Sequence, residues 1–238
     1  MRKANWVGFL PFYLLTVIAF IGLAMWGSKA TTTIAQNRPI ERENTIVIDP
    51  GHGGIDGGAT SCSGVTESKL NLDIALRLEA VMKLLGFDTL MIRTTDTSIY
   101  TEGNTIASQK VSDLKERVRI VNETRNALLI SIHQNTFPDG RYSGAQVFYG
   151  GDDDSAELAR ALQTNFNQTL CRGSNRRSKK ANGVYLMQNI NCTGVLIECG
   201  FLTNPVEEAK LRSSEYQKQL CCVIASTVSI FAQSQEEG

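Results

Sequence analysis

The chain has 238 residues, and its 24 Lys+Arg are matched by 24 Asp+Glu, so the formal net charge is zero. That balance excludes a nucleic-acid binder driven by overall charge, and 42% hydrophobic residues excludes a disordered chain. The length suits one sizeable domain plus an appendage.

The appendage comes first. Residues 6–26, WVGFLPFYLLTVIAFIGLAMW, carry no charge. As a helix that run spans roughly 30 Å, the thickness of a bilayer core. Trp6 and Trp26 bracket it as interfacial aromatics do. Arg2 and Lys3 precede it, so the N-terminus is expected to stay in the cytoplasm and the rest to be exported. Residues 1–30 read as a membrane anchor. A cleaved signal segment is the rival, because Ser28-Lys29-Ala30 could precede a cut. Residues 31–43 read as a polar linker, and 44–234 as the folded domain.

That domain alternates strand and helix. TIVID (45–49) is a short β-branched strand, followed by a turn with five glycines around His52. Residues 67–85 repeat apolar positions at steps of three and four (Leu70, Ile74, Leu78, Val81, Met82, Leu85), the period of a helix. Thr66 suits its N-cap and Gly86 its C-cap. TLMIR (89–93) is a second strand, followed by a polar loop over 94–111. A helix is expected over 113–124, with Asp113 and Glu116 spaced as a capping box. LLISI (128–132) and GAQVFY (144–149) are strands. The stretch 155–170 is a helix with Leu158, Leu162 and Phe166 on one stripe. GVYLM (183–187) and GVLIE (194–198) are strands, and 214–231 is a last helix. Six strands interleaved with helices predict a single α/β domain around a central, mostly parallel or mixed sheet.

Six cysteines contain no C-x-x-C pair, so a thiolate zinc knuckle is not expected; mostly free thiols are, with disulfides left open. The chain's two histidines both follow strands: His52 after 45–49 and His133 after 128–132. Glu198 closes strand 194–198, and Glu67 opens the first helix. In open α/β sheets ligands bind beyond the carboxyl ends of strands. Two imidazoles and a carboxylate are the ligand set of a catalytic zinc with an open fourth position, which leaves Glu198 as a free acid for proton transfer. Taken one at a time, each has a plainer reading: a structural histidine, or a helix-start charge favoured by the dipole. Glu198 is the exception, since a charge ending an apolar strand is costly without a partner. Asp49 could orient His52 or merely cap the turn, and Asp56 is expected to be solvated. A phosphate-cradling loop is disfavoured, because no G-K-[ST] follows the glycines.

VIDPGHGGIDGGA, TESKLNLDIA, ISIHQN and LIECGFLTNPVEEAKL, in that order, resemble the zinc-dependent N-acetylmuramoyl-L-alanine amidases of bacterial cell-wall hydrolases. The resemblance covers nearly all of 45–232. It implies a six-stranded sheet flanked by helices, makes 44–234 the catalytic domain, and assigns one zinc ion to His52, Glu67 and His133 with Glu198 as the catalytic acid–base. The implied reaction hydrolyses the bond between the lactyl group of muramic acid and L-alanine in peptidoglycan. The hydrophobic N-terminus and GVYLMQN resemble the germination-specific amidases of endospore formers, which act in spore cortex on the way to muramic δ-lactam. A vegetative autolysin or a zinc peptidase on other peptides are the alternatives. Gln134, Thr136 and Cys199 depart from the residues common in such relatives, and none is a candidate ligand. Asn135 and the basic residues Arg172, Arg176 and Arg177 are candidate substrate-binding residues, since stem peptides carry carboxylates. The protein itself is expected to be exported, membrane-anchored or secreted on the outer face of the cytoplasmic membrane, with the space between forespore and mother cell as one place for it, and dependence on a membrane-associated partner protein is left open.

Overall fold

A computed structural model describes residues 42–236. The expected hydrophobic segment over 1–30 and nearly all of the linker lie outside the described residues. Among the described residues, no helix is long and apolar enough to cross a membrane.

The elements run β1 (Thr45–Pro50), α1 (Glu67–Leu84), β2 (Asp88–Met91), α2 (Ile106–Glu123), β3 (Ala127–Asn135), β4 (Gln146–Tyr149), α3 (Asp153–Thr169), β5 (Lys179–Lys180), α4 (Tyr185–Asn189), β6 (Gly194–Phe201), α5 (Pro205–Leu211) and α6 (Ser214–Glu236). The strands form one six-stranded sheet in the order β2-β1-β3-β6-β4-β5. All pairings are parallel except β4 with β6. The expected α/β class and mixed sheet are therefore present.

Both faces of the sheet are covered. Alternate strand residues Ile46, Ile48, Leu128, Ile130, Ile132, Val195 and Ile197 pack against α1, α3 and α6 through Leu78, Leu162, Phe166 and Ile224. The intervening residues Val47, Leu129 and Leu196 meet a smaller apolar cluster with Val121 of α2 and Leu186 and Met187 of α4. This alternation follows from the two-residue period of a strand.

Three expectations are corrected. GVYLM is not a strand: Tyr185–Asn189 is a short helix, and the sixth strand is the two-residue β5 before it. Leu186 and Met187 are adjacent and both buried, a pattern a helical turn satisfies and a half-covered strand does not. The helix expected at 113 begins at 106, so 106–111 is not loop. Its cap is Thr105, whose side chain accepts from the Ser108 N–H while Ser108 caps back, so Asp113 and Glu116 form no capping box. Asp113 instead accepts from the Ile99 N–H at 2.7 Å and tethers the preceding loop. Thr66 is the N-cap of α1 as expected, though without a side-chain capping bond. The first N–H groups of that helix go to the glycine turn, Glu67 to the Ala59 carbonyl (2.8 Å) and Ser68 to that of Gly57 (3.1 Å). Gly86 does end α1 with φ +84°, its N–H reaching the Lys83 carbonyl and that of Phe87 the Met82 carbonyl, a Schellman closure.

Candidate metal and catalytic site

β1 delivers His52 through a strained turn. Its φ is +61°, a left-handed conformation that costs a non-glycine residue about 1–3 kcal/mol unless the surroundings impose it. Two buried arginines impose it. Arg117 of α2 pairs with Asp49 and with Asp113, and donates to the carbonyls of Pro50 (3.1 Å) and His52 (2.8 Å). Arg93 donates to the carbonyls of Pro50 (2.9 Å), Gly51 (3.0 Å) and Ser68 (2.8 Å), tying the turn to the start of α1. Neither arginine was singled out in the sequence. Only the unusual count of glycines hinted that this turn needs outside support.

Two of those glycines are required by space. A Cβ on Gly51 would stand 2.1 Å from His133 Nε2, and one on Gly58 would stand 2.7 Å from both Glu67 Oε2 and His52 Cδ2. The turn therefore closes directly over the histidines and Glu67.

Those three side chains converge. One ligand atom from each of His52, Glu67 and His133 lies within 4.8 Å of the others. His52 Nε2 is 3.4 Å from Glu67 Oε2, and His133 Nδ1 is 3.1 Å from Glu67 Oε1. The two imidazole rings meet edge to face, 5.0 Å between centroids. Glu67 is held from all sides, accepting from the Ala59 N–H (3.0 Å), the Gln134 N–H (3.1 Å) and Asn71 Nδ2 (3.4 Å). Burial works against its ionisation, but hydrogen bonds and charges from His133 and His52 outweigh that and hold its pKa far below the ordinary carboxylate value. Burial likewise disfavours a charged His52, yet Glu67 and Asp56 prevail and raise it to about 9. Such a set fits a divalent cation: one preformed anion stands between two imidazoles, the donor types zinc takes.

Asp56 is not simply solvated. Its Oδ2 accepts the His52 Nδ1–H at 2.9 Å, and its Oδ1 meets Lys110 Nζ at 2.7 Å. Paired hydrogen bonds between Gly53 and Asp56 fold the turn back and bring the acid under the ring. This fixes the tautomer that leaves Nε2 facing Glu67. Asp49, the other candidate for that role, is engaged by Arg117 and accepts from Ser131 Oγ at 2.6 Å. Burial alone would raise its carboxyl, but Arg117, His133 and Ser131 keep it below the usual range.

Glu198 sits on β6 in direct register with His133 on β3. Its Oε2 is buried and, among the described residues, has no hydrogen-bond partner. Burial pushes this carboxyl up to about 7, with the Glu67 charge adding to the shift and His133 and His52 opposing it. Cys199 points to the opposite, fully buried face. The six cysteines are free thiols.

A cavity of about 200 Å³ opens beside the cluster, lined by His52, Asp56, Lys110, Leu114, Val184 and Leu186 among others. A larger one, about 650 Å³, lies at the other end of β6 beside Thr193 and contains none of the cluster. The basic residues do not form one cluster: Arg176 and Arg177 line a shared cavity, and Arg172 lines another. Arg176 stacks on Phe201 near the end of β6, with its guanidinium carbon 4.9 Å from the ring centroid. Arg172 and Arg177 line separate cavities, the first with Cys171 and Glu207, the second with Arg160 and Gln163. Asn135 shares the sheet face of His133, and its carbonyl accepts from the Leu202 N–H at 2.9 Å.

The profile of the N-acetylmuramoyl-L-alanine amidase family matches residues 46–229, most of the described chain and every element that builds this site. The chain belongs to this family. The amidase is 33% identical over 225 residues to the germination-specific N-acetylmuramoyl-L-alanine amidase of Bacillus subtilis, covering 94% of this chain and 92% of that one. It is 30% identical to the N-acetylmuramoyl-L-alanine amidase LytC of the same organism, but spans only 35% of that longer protein. Among solved structures it resembles the CwlD amidase from Clostridioides difficile, determined in complex with the GerS lipoprotein, with a TM-score of 0.76 and 34% identity over 80% of this chain and 98% of that one. The protein is thus an enzyme of the N-acetylmuramoyl-L-alanine amidase class, similar to germination-specific members.

Proposed function

We propose that this amidase binds one zinc ion through His52, Glu67 and His133 and hydrolyses the amide bond between N-acetylmuramic acid and L-alanine in spore-cortex peptidoglycan, on the way to muramic δ-lactam. The observation that carries the reading is the convergence of those three side chains beside a buried, unpartnered carboxylate oxygen on Glu198. Bound zinc supplies Lewis-acid polarisation of an acyl carbonyl and acidification of a water molecule. Glu198 does the proton work. A carboxyl near 7, with one oxygen free, can take a proton from the attacking water and pass it to the departing alanine amine. The amide C–N bond breaks, the lactyl group keeps the water oxygen as a carboxylate, and the stem peptide leaves with a free amine. Asp56 keeps His52 in one tautomer, and Glu67 stays ionised throughout. Asn135 and Arg176, near the ends of β3 and β6, are assigned to substrate. Arg172 and Arg177 contribute long-range attraction only.

Residues 1–30 are assigned as the membrane anchor and 44–234 as the catalytic domain, which puts the enzyme on the outer face of the cytoplasmic membrane, in the space between forespore and mother cell. The complex of the Clostridioides difficile relative with a lipoprotein supports a membrane-associated partner here too. Mass spectrometry of cortex peptidoglycan treated with the zinc-loaded chain tests the reaction. Free L-alanine amines and intact lactyl groups are expected, and cleavage within the stem peptide would point to a peptidase instead.

A further inference from the structure

Resting on the amidase reading, we propose that Phe137, Tyr142 and Phe201, with Arg176 stacked above, form a ledge that binds a sugar ring of the substrate's glycan strand. In that substrate the scissile carbonyl joins the muramic ring through a short lactyl ether. Once the carbonyl reaches the His52–Glu67–His133 cluster, a sugar must lie within about one ring's length of it.

The ledge lies just beyond the ends of the two strands that carry His133 and Glu198. β3 carries His133 and then Asn135, and Phe137 follows immediately beyond the strand. β6 carries Glu198 and ends at Phe201. Between the pairs His133–Glu198 and Asn135–Phe201 the register shifts, so β6 has one extra residue. Without that bulge Phe201 would project from the face opposite Glu198, and with it the two share a face. Phe137 and Tyr142 meet edge to face at 4.5 Å, and Tyr142 and Phe201 lie 6.1 Å apart. Phe201 is buried, but Phe137 and Tyr142 are 46% and 47% exposed.

The rings are held in place without a ligand. The Phe137 N–H donates to Thr203 Oγ1 (3.2 Å), and Asn204 Nδ2 donates to the Tyr142 carbonyl (3.2 Å). The loop packs so tightly that a Cβ on Gly140 would stand 2.9 Å from the Thr203 carbonyl oxygen. Arg176 donates from Nε to the Ser143 carbonyl (3.2 Å) and from Nη1 to Gln146 Oε1 (3.4 Å). Among the described residues no carboxylate stands within ion-pair distance of it, although its charge reaches Glu207, and its Nη2 makes no hydrogen bond.

This chemistry suits a sugar. A pyranose presents a face of C–H groups that packs on aromatic rings and an edge of hydroxyls that accepts from a guanidinium. A protein occupant fits less well. Two half-exposed rings offer on the order of 200 Å², against about 800 Å² per partner in a stable interface.

The test uses the full zinc-loaded chain and peptide-free glycan strands, which report binding without catalysis. The double variant Phe137→Ala/Tyr142→Ala is expected to bind glycan about tenfold more weakly, and on peptidoglycan the loss should fall on KM rather than kcat. The ring-preserving variant Phe137→Tyr/Tyr142→Phe should bind as the wild type does. A wild-type chain with no measurable glycan affinity, or a double variant that binds glycan as well as the wild type, overturns the ledge. A wild-type chain that releases no stem peptide overturns the amidase reading instead.

Discussion

The two faces of the sheet divide the labour. The face under α1, α3 and α6 is apolar up to its end, where Gln134 and Asn71 form a buried polar pair: Ile46, Ile48, Ile130, Ile132 and Ile197 are fully buried among Leu78, Leu162 and Phe166. The face under α2 and α4 starts apolar with Val47, Leu129 and Leu196, then turns to Asp49, Ser131, His133 and Glu198 as the same strands approach their carboxyl ends. A single strand feeds both faces because its side chains alternate. The lesson is that stability and chemistry are separable here at one-residue spacing. The large cluster holds the strands, and the thinner cover on the other side leaves room for charge.

Substitutions can test that separation, and the largest effect is expected at Glu198. Glu198→Gln should cut stem-peptide release by about 10²–10⁴-fold while zinc stoichiometry and thermal stability hold, since the buried Oε2 has no partner to lose. A variant that cleaves at the wild-type rate removes the base from Glu198. On the opposite face, Phe166→Ala should cost about 3–5 kcal/mol of stability in denaturant unfolding and leave zinc affinity of the folded chain unaltered. A large loss of zinc affinity there would mean that the faces are coupled.

Zinc binding itself should depend on pH. In the metal-free chain His52 titrates at about 9, above its ordinary 6.5, so at neutral pH it is protonated. Its charge stabilises the metal-free fold fully below about 6.5, and that contribution fades as pH rises through about 9. Zinc needs the neutral ring, so its apparent affinity should climb across the same window, with proton release seen by calorimetry in buffers of different ionisation enthalpy. A flat profile from pH 6.5 to 9 would contradict this. A smaller effect is expected at Asp56→Asn, about 10–100-fold in zinc affinity by competition with a chelator. The smallest is at Lys110→Met. Its ion pair with Asp56 is half exposed, so zinc affinity should shift by only a few-fold, and a loss as large as that of Asp56→Asn would make the lysine part of the ligand support.

Much of the site was legible because its four central residues sit where strand and helix signals end. His52, His133 and Glu198 follow or close apolar runs, and Glu67 follows a helix-start threonine. Asp56 was misjudged because nothing local marks a turn that doubles back through Gly53. Arg93 and Arg117 escaped notice for a related reason. Each lies in an ordinary polar context, and its value comes from carbonyls dozens of residues away. The GVYLM stretch was misread since a short apolar run suits a strand or a buried helical turn equally, and the cover it provides for Leu129 and Leu196 decides between them.

Period and composition alone determined the α/β class, the order of its main elements and the residues capable of metal chemistry, because these are local properties of side-chain spacing and donor type. Which residues meet was a tertiary matter. The convergence of His52, Glu67 and His133, the arginines that hold the turn, and the bulge that brings Phe201 round to the face of Glu198 all depend on register between strands far apart in the chain. That register is set by burying both faces of the sheet at once, a condition no single segment carries.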